Sequence, residues 1–145
     1  MKLRDLMTRG VEVVDPHDGL PEAAMKMRSL DVGSVPVCDG DRLVGMLTDR
    51  DITVRAVAEG RDLSTTLVDD VMTREVVYAT EDQEVDEAAR LMADRQVRRL
   101  PVIDRHDRLV GIVSLGDLAV DSGEDQAAGE ALEQISRPAR PKRMP

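Results

Sequence analysis

The sequence contains no Trp and no Phe, and Tyr78 is its one aromatic residue. A chain so poor in flat rings has little surface on which to stack single-stranded nucleic acid. Its core has to be built from Val, Leu, Ile, Met and Ala. Positive charge is not in excess either, since the net charge is −9. A phosphate backbone demands a basic face, which argues against a general nucleic-acid binder. A small anionic ligand remains open, because a few local arginines hold a phosphate against an unfavourable net charge. Cys38 is the single cysteine, so no intrachain disulfide forms and a reducing compartment fits. No apolar run approaches the ~18 residues of a membrane helix, and the opening MKLRDLMTRG has no apolar signal core. These absences lead to the expectation of a soluble, cytoplasmic protein with neither a membrane nor a nucleic-acid partner.

Chemistry-bearing clusters are also scarce. His17 and His106 fall in predicted turns, each without a second His or Cys at ligand spacing, so no metal site is expected. There is no nucleophile–base set and no Gly-rich phosphate loop, so no enzyme is expected. Cys38 reads as a small apolar filler. Met25, Met27 and Met92 read as core.

What the sequence does have is repetition. Asp5-Leu6-Met7-Thr8-Arg9 returns 65 residues on as Asp70-Val71-Met72-Thr73-Arg74. Val35-Pro36-Val37 returns as Leu100-Pro101-Val102, and Leu43-Val44-Gly45 returns as Leu109-Val110-Gly111. The spacing slips by one residue between the Pro and the Gly, in a turn, where an insertion is cheapest. Each copy reads β-α-β-β-α. Val11–Val14 and Val76–Ala79 are extended. Leu20, Ala23, Ala24, Met27 and Leu30 share one helical face, as do Val85, Ala88, Ala89 and Met92, and Gly33 is the expected end of the first helix. Two hairpins follow, with a helix starting at Thr48 in one copy and at Ser114 in the other. The fold class is α/β (α+β). The chain divides into a first repeat over 1–60, a linker over 61–69, a second repeat over 70–121 and a polar extension over 122–145. Neither half has much core alone, so the two are expected to pack about a pseudo-two-fold axis. Within the extension, 124–135 fits a short polar helix and RPARPKRMP a disordered basic tail.

VGSVPVCDGDRLVGMLTDRDI and VRRLPVIDRHDRLVGIVSLGDL, together with the openings LMT and VMT, resemble the signature of the cystathionine-β-synthase (CBS) domain, present as a tandem pair. The resemblance covers about residues 3–120 and is similar to stand-alone pairs of the hypoxic-response type. It implies a module that binds an adenosine-containing ligand (AMP, ADP, ATP or S-adenosylmethionine) in clefts between its repeats, that regulates a partner, and that dimerises. No cofactor is required on this reading; the nucleotide is a regulatory ligand.

The resemblance also implies where the ligand sits. Thr48, Asp51, Ser114 and Asp117 carry the family's hydroxyl-x-x-Asp pattern, in which the acceptor-only carboxylate takes ribose hydroxyls and the hydroxyl meets phosphate. Arg50 is a phosphate helper that Gly116 does not repeat. Ser34, Val35 and Pro36 in one copy, and Arg99, Leu100 and Pro101 in the other, open the strand whose backbone reads the adenine edge, with Arg98 or Arg99 available to phosphate. Tyr78 occupies a position where family members often carry a hydroxyl; its counterpart Val13 cannot donate. The same hydroxyl-x-x-Asp spacing is a helix-capping box that needs no ligand. Both readings stand on the sequence, and so does a second function: a ligand-free scaffold for a protein partner.

Overall fold

The computed structural model describes residues 1–121 together with Ile135, so the expected polar helix and basic tail lie outside the described residues. The order is a 3-10 turn (Leu3–Asp5), α1 (Leu20–Leu30), β1 (Ser34–Asp39), β2 (Arg42–Thr48), α2 (Asp49–Asp51) continuing as a π-helical segment (Ile52–Val57), α3 (Val68–Val71), β3 (Ala79–Thr80), α4 (Val85–Arg95), β4 (Arg99–Ile103), β5 (Leu109–Ser114) and α5 (Leu115–Asp121). The mixed α/β class follows. β1 and β2 form one antiparallel sheet, and β3-β4-β5 form a second in that order. The lead-in strands are shorter than their extended patterns suggest. Val14 alone bridges β1, in parallel to Val37, and the second lead-in pairs only at Ala79–Thr80.

The chain forms two compact units. The first holds Gly10–Tyr78 and the hairpin tip Ile103–Val110. Its core gathers Leu20, Met27, Val35, Val37, Leu47 and Val71, all buried. The second holds Met1–Arg9, Ala79–Val102 and the chain from Gly111. Leu3, Met92, Leu100, Val113 and Leu118 are fully buried there. Each such aliphatic contributes about 1.5–3 kcal/mol relative to exposure, which is how a core without rings suffices.

The units cut across the sequence repeats. Met1–Arg9 belongs with the second repeat, and the second repeat's own lead-in, up to Tyr78, belongs with the first. Backbone hydrogen bonds hold both exchanges in the same way. Leu3 and Arg4 N–H donate to the Gln83 and Glu81 carbonyls at 3.0 and 3.1 Å. In the other unit Val68 and Asp69 donate to Asp18 and Pro16 at 2.9 and 2.8 Å. Sixty-five residues separate each partner from its twin. The stretch expected as a linker is a turn organised on Asp62, whose carbonyl accepts from the buried Thr66 hydroxyl at 2.7 Å.

Local expectations meet two corrections. α1 ends at Asp31, which is left-handed at φ 55°, rather than at Gly33, and α4 ends the same way at Gln96. In each case the next N–H closes the turn, Val32 to Met27 at 3.1 Å and Val97 to Met92 at 3.0 Å. The closure holds a side chain in a region that glycine occupies more cheaply. Gly33 instead offers its carbonyl to Asp49 N–H at 2.9 Å, at the start of α2. On α1, Met25 is 54% exposed and Leu30 lies outside the buried face, whereas Met27 and Met92 are core as expected.

Candidate functional site

In the first unit, Asp49 N–H is anchored on Gly33, which fixes α2 against the opening of β1. Thr48 Oγ1 accepts from Asp51 N–H at 3.0 Å, and Asp51 Oδ2 accepts from Thr48 N–H at 3.0 Å. This is a reciprocal capping box, as the spacing allowed. The Asp51 carboxylate does more than cap. Thr73 Oγ1 donates into both of its oxygens, at 3.0 and 3.1 Å. Arg55 Nε stands 3.8 Å from Oδ1 and its Nη1 donates to the Met72 carbonyl at 3.2 Å. Asp51 is 6% exposed, so these donors replace its water.

In the second unit the same start is built on Leu115 N–H donating to the Arg98 carbonyl at 2.8 Å. Ser114 N–H donates to Asp117 Oδ2 at 2.9 Å and Asp117 N–H to Ser114 Oγ at 3.1 Å. Asp117 is half-buried, and among the described residues no donor meets its Oδ1. Thr8, the counterpart of Thr73, makes the same backbone pair, with Ile112, but among the described residues its hydroxyl has no partner.

The strand openings differ in what they expose. Val35, Pro36, Leu100 and Pro101 are buried, and Ser34 is half-buried opposite Thr48. The Pro36 carbonyl accepts from Val14 N–H at 3.0 Å, so that acceptor is used inside the sheet. Arg98 and Arg99 are both exposed, without an ion pair among the described residues, and Arg50 is exposed beside Asp49. Thus Ser34, Val35, Pro36, Thr48, Arg50, Asp51 and Tyr78 lie in one unit, and Arg99, Leu100, Pro101, Ser114 and Asp117 in the other.

Tyr78 is 48% exposed, and its hydroxyl is unpaired among the described residues. It lines a pocket of about 160 Å³ in the first unit. Val44, Val76 and Ile103 make the apolar part, and Arg42, Arg74 and Asp107 the polar part. Arg74 is engaged by Asp69 at 2.6 Å, while Arg42 stands 3.9 Å from Asp107 and keeps most of its donors. The pocket is below the ~300 Å³ at which drug-sized ligand sites begin, so by itself it accepts a fragment. Sequence reasoning missed Arg42, Arg74 and Thr73. The repeated MTR in the lead-in was the available signal.

The remaining reactive side chains sit apart. Cys38 is buried, and burial first, then the Asp41 carboxylate, pushes its thiol up to about 11. His17 Nδ1 is 3.4 Å from Asp15, and His106 accepts from Arg105 Nε at 3.3 Å. Among the described residues no group of three metal-ligating side chains converges, and no helix is long and apolar enough to cross a membrane.

Known proteins resemble the chain in sequence and fold. CBS domain-containing protein YhcV of Bacillus subtilis is 46% identical over 134 residues, spanning 92% of this chain and 94% of the relative. The crystal structure of Hypoxic Response Protein I with two coordinated zinc ions matches with a TM-score of 0.75 and 42% identity, covering 82% of this chain and 97% of that one. CBSX2 of Arabidopsis thaliana in complex with AMP matches with a TM-score of 0.73 and 28% identity, covering 86% and 98%. The CBS domain model itself matches twice, over residues 3–57 and 68–120. The chain therefore belongs to the CBS-domain family, as a tandem pair of this regulatory module.

Proposed function

We propose that the chain is a sensor of an adenosine-containing ligand, AMP, ADP, ATP or S-adenosylmethionine, and that binding changes its engagement with a partner. The observation that carries the reading is Asp117. Among the described residues no donor meets its Oδ1, a carboxylate acceptor on a half-buried, pre-capped helix start that suits a ribose hydroxyl. Ser114 Oγ accepts from Asp117 N–H and keeps its own hydrogen for a phosphate oxygen. Arg99, exposed and without an ion pair among the described residues, supplies charge for a phosphate. CBSX2 holding AMP on the same fold supports the ligand class. A homodimer is part of the proposal. Val54 and Val57, one turn apart and 45% and 56% exposed, offer it an apolar face in each copy.

Isothermal titration of nucleotide-free protein against AMP, ADP, ATP and S-adenosylmethionine tests the sensor. Micromolar binding of one of them, lost in Asp117→Asn, is expected. Silence across the panel would favour the second reading, a ligand-free interaction scaffold, to which the internally filled Asp51 is already suited.

A further inference from the structure

We infer that Thr73 is the resident occupant of Asp51, so that the first helix start is a closed latch and the chain takes one adenosine ligand, not two. The two starts share a motif and a backbone. Thr73 pairs with Met46 at 2.8 and 2.9 Å, and Thr8 pairs with Ile112 at the same two distances. Their side chains part ways. The Thr73 hydroxyl lies 3.0 and 3.1 Å from the two oxygens of Asp51, where a pair of ribose hydroxyls would have to donate. With Thr48 N–H and the Thr73 hydroxyl already on the carboxylate and only 6% of Asp51 exposed, a pair of ribose hydroxyls has no room to reach it.

Arg55 completes the latch. It lies in the π-helical segment Ile52–Val57, faces Asp51, and holds the Met72 carbonyl next to Thr73. Widened helical turns of this kind are frequent at functional sites. The aligned position in the second copy is Asp121, an acid where the latch needs a base. Among the described residues the Thr8 hydroxyl has no partner, and no donor meets Asp117 Oδ1.

The latch stands on this geometry alone; the count of ligands rests on the sensor reading above. Two experiments separate them. In urea unfolding of the full chain, Asp51→Asn and Thr73→Ala should shift the midpoint together by clearly less than the sum of their separate shifts. Asp117→Asn and Thr8→Ala should add. Additive shifts for the Asp51–Thr73 pair would overturn the latch. In calorimetry with AMP and S-adenosylmethionine, the protein should bind one ligand per chain and Asp51→Asn should retain it. Thr73→Ala should add a second binding event, and Thr73→Ser, which keeps the hydroxyl, should not. Two sites in the unaltered protein, or a single site in Thr73→Ala, would overturn the inference. Should neither ligand bind, the sensor reading fails and the unfolding cycle alone decides the latch.

Discussion

At Thr48–Asp51 the carboxylate is satisfied from within its own unit, by a hydroxyl 22 residues away and a nearby guanidinium. At Ser114–Asp117 the same capping bonds form at 2.9 and 3.1 Å, and among the described residues no donor meets the second oxygen. The comparison shows that a four-residue motif sets its own local geometry and no more. Whether its carboxylate is available to a ligand depends on what a distant segment brings to it. On the proposed reading, the duplicated module keeps one copy as structure and releases the other for binding, without losing the motif in either.

The contrast is broken most directly at the two carboxylates. Asp51→Ala removes a cap, worth about 1 kcal/mol, and a buried hydrogen bond to a charged group, worth about 1.5–3 kcal/mol. Asp117→Ala removes the cap alone. Chemical denaturation should therefore show a loss of about 3 kcal/mol for the first and about 1 kcal/mol for the second, and equal losses would mean that Thr73 contributes nothing.

Two glycines probe what the units have in common. A Cβ on Gly45 would meet Met72 Sδ at 2.8 Å and the Thr73 carbonyl at 2.9 Å. One on Gly111 would meet Met7 Sδ at 2.7 Å and the Thr8 carbonyl at 2.9 Å. The methionine can swing aside but the carbonyl belongs to a paired backbone. Gly45→Ala and Gly111→Ala should each cost about 1–3 kcal/mol, and by similar amounts, as thermal unfolding of both variants would reveal.

The smallest expected effect sits at Cys38, whose counterpart in the second copy is Ile103. The folded thiol ionises near 11 and the unfolded one near 9.0. The unfolded state thus loses its proton first, so stability is intact below pH 9 and declines as pH rises towards 11. Cys38→Val should flatten that decline in a pH series of unfolding midpoints. An unchanged slope would place its origin in other groups.

Much of this was legible in the chain itself. The 65-residue echo, the hairpins and the two helix starts are local patterns, and each formed close to its expected place. The capping box is written within four residues, so sequence reading found it twice. The ends of α1 and α4 were not legible. Asp31 and Gln96 adopt a left-handed cap because the following N–H closes the helix, which outweighs their poor intrinsic preference. Met25 also misled, since a methionine two positions from a core methionine on a helix points to a different face.

By itself the sequence determined that an α-β-β-α order occurs twice, which helix faces are largely apolar, and that each second helix begins on a hydroxyl–aspartate pair. Those are consequences of periods and short spacings, which act on neighbouring residues. Only the tertiary structure decided that each unit takes in the lead-in of the other repeat, that Thr73 meets Asp51 while Thr8 leaves Asp117 open, and that Arg42 and Arg74 join Tyr78 at one pocket. These pairings lie far apart in the chain. They are set by which backbone segments share a sheet edge and by the need to satisfy a buried carboxylate, and neither is encoded in any local stretch.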